Sequence, residues 1–221
     1  MMKKRVLILG ANGMIGELIL NKCLESNEIG TVVTVTRKAL AMNHEKLKNI
    51  IHHNFLDFTS IENVFAEIDI CYYCLGVYTG AVSNNLFFEI TVDYTKSVVA
   101  LLKEKSPNVR FCFLSGMGAD LTEKSNVPFA KAKGMAENYL LKMDLGALFI
   151  FRPGYIYPVT KRKEPNAFYT IIRWFYPFLN LIYPNIGLSS EQLAKSMFKA
   201  GFENAPTTIL ENKAIKSFIA S

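Results

Sequence analysis

Near its N-terminus the chain reads Val6-Leu-Ile-Leu-Gly10-Ala-Asn-Gly13-Met-Ile-Gly16, and this stretch decides the fold. Four apolar residues predict a buried strand, and the glycines that follow predict a tight turn into a helix. Gly10 permits the turn, Gly13 lets the backbone approach a pyrophosphate, and Gly16 lets the helix pack closely on the strand. An anion can then bind the free N–H groups at the helix N-terminus. The stretch therefore predicts a phosphate-binding loop with dinucleotide contacts from Gly10, Asn12, Gly13, Met14, Ile15 and Gly16.

Short apolar runs alternate with longer amphipathic runs along the rest of the chain, which is the pattern of repeated β-α units and a parallel sheet. The apolar runs lack polar alternation, as expected when helices cover both faces of the sheet. We predict an α/β protein with a doubly wound parallel-sheet Rossmann fold, in which residues 1–221 form one domain and residues 155–221 contribute a small substrate-side cap. The predicted strands are Val6–Leu9, Thr31–Thr36, Asn49–His53, Ile70–Leu75, Arg110–Leu114 and Leu148–Phe151. The predicted helices are Met14–Ser26, Ile61–Glu67, Leu86–Lys105, Phe129–Lys142 and Glu191–Phe202, before a short strand-helix at Thr208–Ile219.

The end of the second predicted strand indicates which dinucleotide binds. NAD-binding proteins commonly place Asp or Glu there to hold the ribose hydroxyls, whereas this chain has Thr36-Arg37-Lys38. A carboxylate would repel a 2′-phosphate, but a guanidinium can bind it through paired hydrogen bonds. The sequence therefore favours NADP(H) over NAD(H). The alternative is that Arg37 and Lys38 are solvated loop charges.

Composition limits the classes of partner. Half of the 221 residues are hydrophobic and 20 % are charged, as in an ordinary globular protein. The formal net charge of +6 is scattered, apart from Lys161-Arg162-Lys163, so no continuous basic stripe is offered to nucleic acid. Cys71 and Cys74 have C-x-x-C spacing without a second ligand pair nearby. We therefore expect reduced core cysteines, no metal site and a cytoplasmic protein.

An aromatic-rich run at residues 168–183 follows the basic cluster. The run is long enough to suggest a membrane span, but Arg173, Pro177 and Asn180 interrupt it. A cap over the ligand pocket or a buried packing helix is favoured over a dimer surface, and docking on a membrane surface is the least favoured interpretation. Monomer and homodimer both suit this fold.

Over nearly its whole length the chain resembles the short-chain dehydrogenase/reductase superfamily. More narrowly, it resembles the atypical branch of Tat-interacting-protein-like oxidoreductases, whose bacterial members are described as nucleoside-diphosphate-sugar epimerase-like. The resemblance rests on the Gly10–Gly16 loop, Leu114-Ser-Gly-Met-Gly-Ala-Asp120, Lys133-Gly134 and Arg152-Pro-Gly154. It implies that Asn54-Phe55 lies beside the adenine and that Gly76 lets the adenosine half lie close. The further dinucleotide contacts that the resemblance implies are Asn54, Phe55, Cys74, Leu75, Gly76, Lys133, Pro153 and Gly154.

The catalytic motif of that superfamily is Tyr-x-x-x-Lys, in which one helical turn places both side chains on one face. The lysine lowers the pKa of the tyrosine and holds the nicotinamide ribose, while the tyrosine exchanges a proton with the substrate oxygen. Here the segment reads Phe129-Ala-Lys-Ala-Lys133, so Phe129 stands at the tyrosine position without a proton to give. Lys133 is expected to bind the ribose, with an exposed helix lysine as the alternative, and Ser115 to polarise the substrate oxygen. Substitute proton donors are sought among Tyr78, Tyr155 and Tyr157, with Asp120 as a weaker candidate.

Two classes of function follow from this pattern. The favoured one is an NADP(H)-dependent oxidoreductase, or an epimerase-type enzyme with the same hydride chemistry, acting on an unidentified small molecule. The alternative is a catalytically silent NADP(H)-binding sensor or scaffold, because the usual proton donor is missing. A third, less favoured hypothesis places the protein at a membrane with a lipidic or quinone-like substrate bound through Lys161–Tyr183.

Overall fold

Within residues 3–159 and 187–220, which the computed structural model describes, seven parallel strands form one sheet. They are β1 (Lys4–Leu9), β2 (Ile29–Thr36), β3 (Leu47–Ile51), β4 (Ile70–Tyr73), β5 (Arg110–Leu114), β6 (Ala147–Arg152) and β9 (Ile209–Glu211). Their order across the sheet is β3-β2-β1-β4-β5-β6-β9. The winding reverses between β1 and β4, and ligands of such sheets bind outside the carboxyl ends of the strands at this point. Two short strands, β7 (Tyr155–Tyr157) and β8 (Gly187–Ser189), pair separately.

Helices cover both faces of the sheet. They are α1 (Met14–Glu25), α2 (Asn84–Phe88), α3 (Tyr94–Lys105), α4 (Pro128–Lys142), α5 (Ser190–Ala200) and α6 (Asn212–Ala220). A 3-10 helix spans Thr59–Phe65, and a π-helical turn, Glu89–Asp93, joins α2 to α3. None of the helices among the described residues has the length and apolar character needed to cross a membrane.

Alternate residues of β1 enter two separate hydrophobic cores. Val6 and Ile8 pack on the face covered by α1 and α5, and Leu7 and Leu9 pack on the face covered by α3 and α4. All four side chains are fully buried. The unbroken apolar run in the sequence is therefore explained by a central strand with a helical layer on each side.

The predicted Rossmann class and parallel sheet are confirmed, while several boundaries differ. The strand predicted at Asn49–His53 lies at Leu47–Ile51. The prediction of an α-helix at Ile61–Glu67 was wrong, because Ile61 has a non-helical φ of −133°. Phe65 packs its ring into the core 4.9 Å from that of Phe58, which fixes this short segment by aromatic contacts rather than by helical periodicity. The helix predicted at Leu86–Lys105 is interrupted by the π-helical turn.

The C-terminal elements extend the main fold. β9 pairs with β6, and α5 lies on α1 with the side chains of Leu193 and Met197 fully buried. A capping box starts α5, since the Ser189 hydroxyl accepts from the backbone N–H of Gln192 while the Gln192 side chain accepts from that of Ser189. The substrate-side cap predicted for residues 155–221 stays a prediction, because residues 160–186 lie outside the described part of the chain. The basic cluster Lys161–Lys163 and the aromatic segment 168–183 lie outside the described residues.

Candidate functional site

The loop between β1 and α1 lies directly against the end of β4. Gly10 has a φ of +84°, and a Cβ there would lie 2.6 Å from the backbone carbonyl carbon and oxygen of Cys74. A Cβ on Gly16 would overlap the carbonyl oxygen of Gly10. Glycine is therefore required at both positions, because no side chain fits between the loop, the helix and the neighbouring strand.

The N-terminus of α1 is open for an anion. Its N-cap is Gly13, which brings no side-chain acceptor, and the Gly13 N–H bonds to the Gly10 carbonyl oxygen at 2.9 Å. The N–H groups of Met14, Ile15 and Gly16 belong to the first helical turn and have no acceptor within the helix. Asn12 is exposed beside this turn. Free donors and the positive end of the helix dipole thus point to the same place, which is the geometry of a phosphate site.

A cavity of about 560 Å³ extends from this helix end across the carboxyl ends of β4, β5 and β6. One stretch of its wall is bare at Gly76, where an added Cβ would meet no atom within 4 Å. The cavity brings together residues that are far apart in the sequence: Gly13, Met14, Ile15, Cys74, Leu75, Gly76, Val77, Tyr78, Thr79, Leu114, Ser115, Gly116, Phe129, Lys133, Pro153, Gly154, Tyr155, Ile156 and Pro158.

The end of β2 carries the predicted 2′-phosphate residues on a fixed loop. The Thr36 hydroxyl donates to the Lys38 carbonyl at 2.8 Å and accepts from the Asn49 side-chain amide at 2.7 Å. The Asn49 side-chain oxygen accepts from the backbone N–H of Leu40 at 3.0 Å. Arg37 and Lys38 are exposed on this loop. Sequence reasoning missed Asn49, whose only signal was a polar residue within a strand.

The two neighbouring residues predicted beside the adenine, Asn54 and Phe55, differ in their exposure to solvent. Asn54 is exposed, and its side-chain oxygen accepts from the backbone N–H of Leu56 at 3.1 Å. Phe55 is only 2 % exposed, and its ring stacks on Tyr94 with 5.5 Å between centroids. The Phe55 side chain therefore belongs to the core, because Tyr94 covers its face, and only Asn54 of the pair presents a side chain to solvent.

A buried network joins the ends of β5 and β6 to α4. The carboxylate of Glu137, on α4, is fully buried. It accepts from Arg152, whose Nε lies 3.0 Å from Oε2 and whose Nη2 lies 2.5 Å from the same oxygen. The Ser115 hydroxyl also donates to Glu137, through its Oε1. The Ser115 hydroxyl proton is thus used within the protein, and the predicted role of Ser115 towards a substrate oxygen stays a prediction.

Lys133 lies on the cavity wall one turn before Glu137. Its Nζ donates to the Leu114 carbonyl at 3.0 Å and sits 5.1 Å from the centroid of the Phe113 ring. Burial lowers the pKa of Lys133 to about 8, although the Glu137 carboxylate acts to raise it. The side chain is only 8 % exposed, which excludes the alternative of a solvated helix lysine; Lys131 is the exposed one.

The remaining catalytic candidates divide into two groups. Phe129, Tyr78 and Tyr155 line the cavity. The tip of the Phe129 ring fills the space beside the Gly116 backbone, since a Cβ on Gly116 would be 2.5 Å from its Cζ. Tyr157 does not line the cavity, and neither does Asp120, whose carboxylate accepts from the backbone N–H groups of residues 122, 124 and 125. The Thr122 hydroxyl also donates to this carboxylate at 2.7 Å, and it and the backbone groups lower the pKa of Asp120 and tie it to its own loop.

A second residue that sequence reasoning missed supports the end of β6. Asn212, at the start of α6, is buried, and its side-chain oxygen accepts from the backbone N–H of Gly154 at 2.9 Å. It holds the Pro153-Gly154 turn against the cavity from a distance of 58 residues along the chain. No local sequence pattern signals so remote a contact.

Three of the four cysteines, Cys23, Cys71 and Cys112, are buried, and Cys74 is partly buried. Cys71 and Cys74 are free, and burial raises the pKa of Cys74 to about 12. Across residues 3–159 and 187–220, no three side chains of His, Cys, Asp or Glu lie close enough together to hold a metal ion.

A doubly wound parallel sheet with a glycine loop opening its first helix defines the class of Rossmann nucleotide-binding folds. Residues 6–153 match the NAD dependent epimerase/dehydratase family. The chain belongs to this family, which confirms the predicted resemblance to the short-chain dehydrogenase/reductases.

Known relatives are distant in sequence. The chain is 28 % identical to protein HTATIP2 of Rattus norvegicus over 169 residues, which cover 75 % of this chain and 68 % of that protein. It is 26 % identical over 149 residues to the mitochondrial protein FMP52 of Eremothecium gossypii, covering 67 % of this chain and 64 % of the relative. The chain thus matches about two thirds of the length of these relatives. Among solved structures, the enzyme WbmF of Bordetella bronchiseptica in complex with NAD+ shares the fold with a TM-score of 0.71 at 12 % identity, covering 99 % of this chain and 77 % of that one.

Proposed function

We propose that this chain binds a pyridine dinucleotide, NADP(H) in preference to NAD(H), and acts as an oxidoreductase or epimerase-type enzyme on a small molecule. One observation carries the proposal. A single cavity joins the open N-terminus of α1 to the buried Lys133 across the carboxyl ends of β4, β5 and β6. In sheets of this kind, that edge is where nucleotides bind.

The residues fit the parts of a dinucleotide. The first-turn N–H groups of α1 would hold the pyrophosphate, and the bare wall at Gly76 leaves room for the adenosine half. The Lys133 ammonium has three N–H groups, of which one bonds to Leu114, so two are left for the nicotinamide ribose or the substrate. Pro153-Gly154, fixed by Asn212, forms the opposite wall. When bound, the dinucleotide supplies or accepts the hydride, and the chain binds and orients both reactants.

The preference for NADP(H) rests on Arg37. The Thr36–Asn49 hydrogen bond fixes the loop on which Arg37 is exposed. Burial raises the pKa of Tyr94, and the Arg37 guanidinium acts to lower it. An exposed guanidinium on this loop is available to a 2′-phosphate, which Asp or Glu at this strand end would repel.

An assay of NADPH oxidation distinguishes this proposal from the alternative of a catalytically silent sensor. The purified protein is mixed with NADPH and phenanthrenequinone, an apolar dicarbonyl, and the loss of NADPH is followed against a reaction without quinone. Quinone-dependent NADPH oxidation supports the enzyme. Tight NADPH binding without NADPH oxidation, across a panel of carbonyls and nucleotide sugars, would favour the sensor or scaffold.

The cellular setting also enters as a proposal. We place the protein in the cytoplasm, while the Eremothecium gossypii relative bears a mitochondrial name. Cell fractionation tests this. Residues 1–221 are proposed to form one domain, either as a monomer or as a homodimer. Size-exclusion chromatography with light scattering distinguishes the two states.

A further inference from the structure

The groups that could supply a proton inside the cavity are few among the described residues. Phe129 has none to give, and the hydroxyl proton of Ser115 is bonded to Glu137. Burial keeps the Cys74 thiol protonated by raising its pKa to about 12, so it is a poor acid. Among the tyrosines that line the cavity, Tyr155 has a buried hydroxyl oxygen and Tyr78 is 43 % exposed to solvent.

Lys133 differs from all of these groups. It lies on the same face of α4 as Phe129, one helical turn further on, and both line the cavity. Its Nζ is anchored by the Leu114 carbonyl at 3.0 Å, which aims the rest of the ammonium group away from the strand. A cation that is 8 % exposed is poorly solvated and therefore gives up a proton more readily than a surface lysine.

Resting on the proposed function, we infer that Lys133 is the proton donor of this enzyme and replaces the tyrosine that Phe129 displaces. In the reductive direction, hydride from NADPH forms a C–H bond at the carbonyl carbon. The carbonyl oxygen takes a proton from the Lys133 ammonium, which leaves the neutral amine. Carbonyl, NADPH and one proton thus become alcohol and NADP+, and solvent returns the proton to Lys133. In the oxidative direction the neutral amine accepts the proton.

The charges around Lys133 suit this task. Glu137, on the same helix, acts to keep the ammonium protonated, but its carboxylate is shared with Arg152 and Ser115. The neighbouring Cys74 thiol is protonated and adds no charge. Burial outweighs the effect of Glu137 and lowers the pKa of Lys133 to about 8, close to neutral pH, where a general acid works best.

Replacing Lys133 by Arg separates proton donation from binding. A guanidinium keeps the positive charge and can still bond to ribose hydroxyls, but it does not release a proton in proteins. For Lys133→Arg we expect an NADPH dissociation constant within about threefold of wild type and a quinone reduction rate lower by a factor on the order of 10²–10⁴. The exposed Lys131 supplies the control, since Lys131→Arg should change neither quantity.

Two measurements on the wild-type protein test the inference even if the Lys133→Arg variant does not fold. With ¹³C-labelled lysine, one resonance of the carbon next to Nζ should titrate with a midpoint near 8 and should be missing from Lys133→Arg. The quinone reduction rate, measured at saturating NADPH, should fall about tenfold per pH unit above that midpoint as the acid form is lost.

The outcomes are distinct. Full turnover by a folded Lys133→Arg variant, or a wild-type rate that stays level from about pH 7 to 10, overturns the inference. Wild-type protein that binds NADPH tightly yet reduces neither the quinone nor the other substrates of the panel overturns the proposed enzyme activity. Failure to bind either NADPH or NADH overturns the proposed function itself.

Discussion

Arg152, at the end of β6, holds the fully buried carboxylate of Glu137 on α4 through two nitrogens, with its Nη2 2.5 Å from Oε2. Through the Ser115 hydroxyl, the same carboxylate also fixes the end of β5. Three elements that wall the cavity are thereby joined at one point beneath Lys133. A buried pair of this kind is costly to break from one side, because the remaining charge loses its partner.

Glu137→Gln should therefore destabilise the fold strongly. It leaves the largely buried guanidinium of Arg152 with only the more distant Glu211, whose Oε1 lies 4.0 Å from Nη1, and we expect the free energy of unfolding to fall by about 3–5 kcal/mol. Urea denaturation followed by circular dichroism measures it. The control is Glu62→Gln, which removes a half-exposed partner of Lys105 and should cost less than about 1 kcal/mol. Equal, small losses in both variants would show that the buried network contributes little.

Lys133→Met should stabilise the protein near neutral pH. The pKa of Lys133 falls from its ordinary value of 10.5 to about 8 on folding. Below about pH 8 both folded and unfolded chains carry the proton, so the wild type bears the full cost of the buried charge. Between 8 and 10.5 the unfolded chain binds the proton that the folded chain has lost, so wild-type stability gains with rising pH from this group. We expect the variant to be more stable by about 1–3 kcal/mol at pH 7.

The difference in unfolding free energy between wild type and Lys133→Met reports the titration of Lys133 alone, because the cysteines and tyrosines are the same in both proteins. Urea unfolding at about pH 7, 9 and 10.5 should show the advantage of Lys133→Met shrinking towards zero. A difference that is independent of pH would contradict the buried, depressed lysine.

Replacing two glycines of the cavity wall by alanine should have different effects, on NADPH affinity at Gly76 and on stability at Gly116. At Gly76 a methyl group meets no atom within 4 Å, so Gly76→Ala should fold with a stability within about 0.5 kcal/mol of wild type. The methyl group enters the space proposed for the adenosine half, and we expect NADPH affinity to fall by about tenfold or more, or about 1.4 kcal/mol. Calorimetric titration with NADPH measures the change.

Gly116→Ala is the matched control. Its methyl group would lie 2.5 Å from the Phe129 Cζ, so the ring must move, at a cost of about 1–3 kcal/mol in thermal or urea unfolding. If Gly76→Ala bound NADPH as tightly as wild type, the adenosine half would have to lie elsewhere.

The sequence predicted the parts of this structure that depend on local pattern. The unbroken apolar run Val6–Leu9 and the spacing of Gly10, Gly13 and Gly16 have one good structural solution, a buried strand turning into a helix. Alternation of apolar and amphipathic runs then indicates a parallel sheet, whose carboxyl edge gathers Cys74–Gly76, Ser115 and Pro153 by topology alone.

The features that could not be predicted from the sequence are contacts between residues far apart along the chain. The hydrogen bond from Ser115 to Glu137 and the one from Gly154 to Asn212 span 22 and 58 residues. Neither periodicity nor a motif encodes such pairs. The stacking of Phe55 on Tyr94, the first residue of α3, likewise joins residues that are far apart in the sequence. Side-chain directions, such as that of the Ser115 hydroxyl, therefore cannot be predicted from the sequence.

Arg37→Ala should change the cofactor preference without disturbing the fold. The exposed guanidinium is proposed to bind the 2′-phosphate, so we expect NADPH affinity to fall by about tenfold or more while NADH affinity changes by less than about twofold. Titrations with both nucleotides measure the two constants. The control is Lys38→Ala, the next residue on the same loop, whose point charge should matter less than the paired donors of Arg37. An equal loss for NADPH and NADH would argue against a 2′-phosphate contact.

The central claim is that the cavity at the carboxyl edge of the sheet is an NADP(H) site. Its most direct test is the binding of NADPH and NADH to the wild-type protein, by isothermal calorimetry supported by thermal unfolding. A ligand at 100-fold its dissociation constant should stabilise the fold by about 2.7 kcal/mol. We predict 1:1 binding of NADPH, at least tenfold tighter than NADH, with a matching rise in the unfolding temperature. Absence of binding by both nucleotides would contradict the account, because the glycine loop would then serve the fold alone.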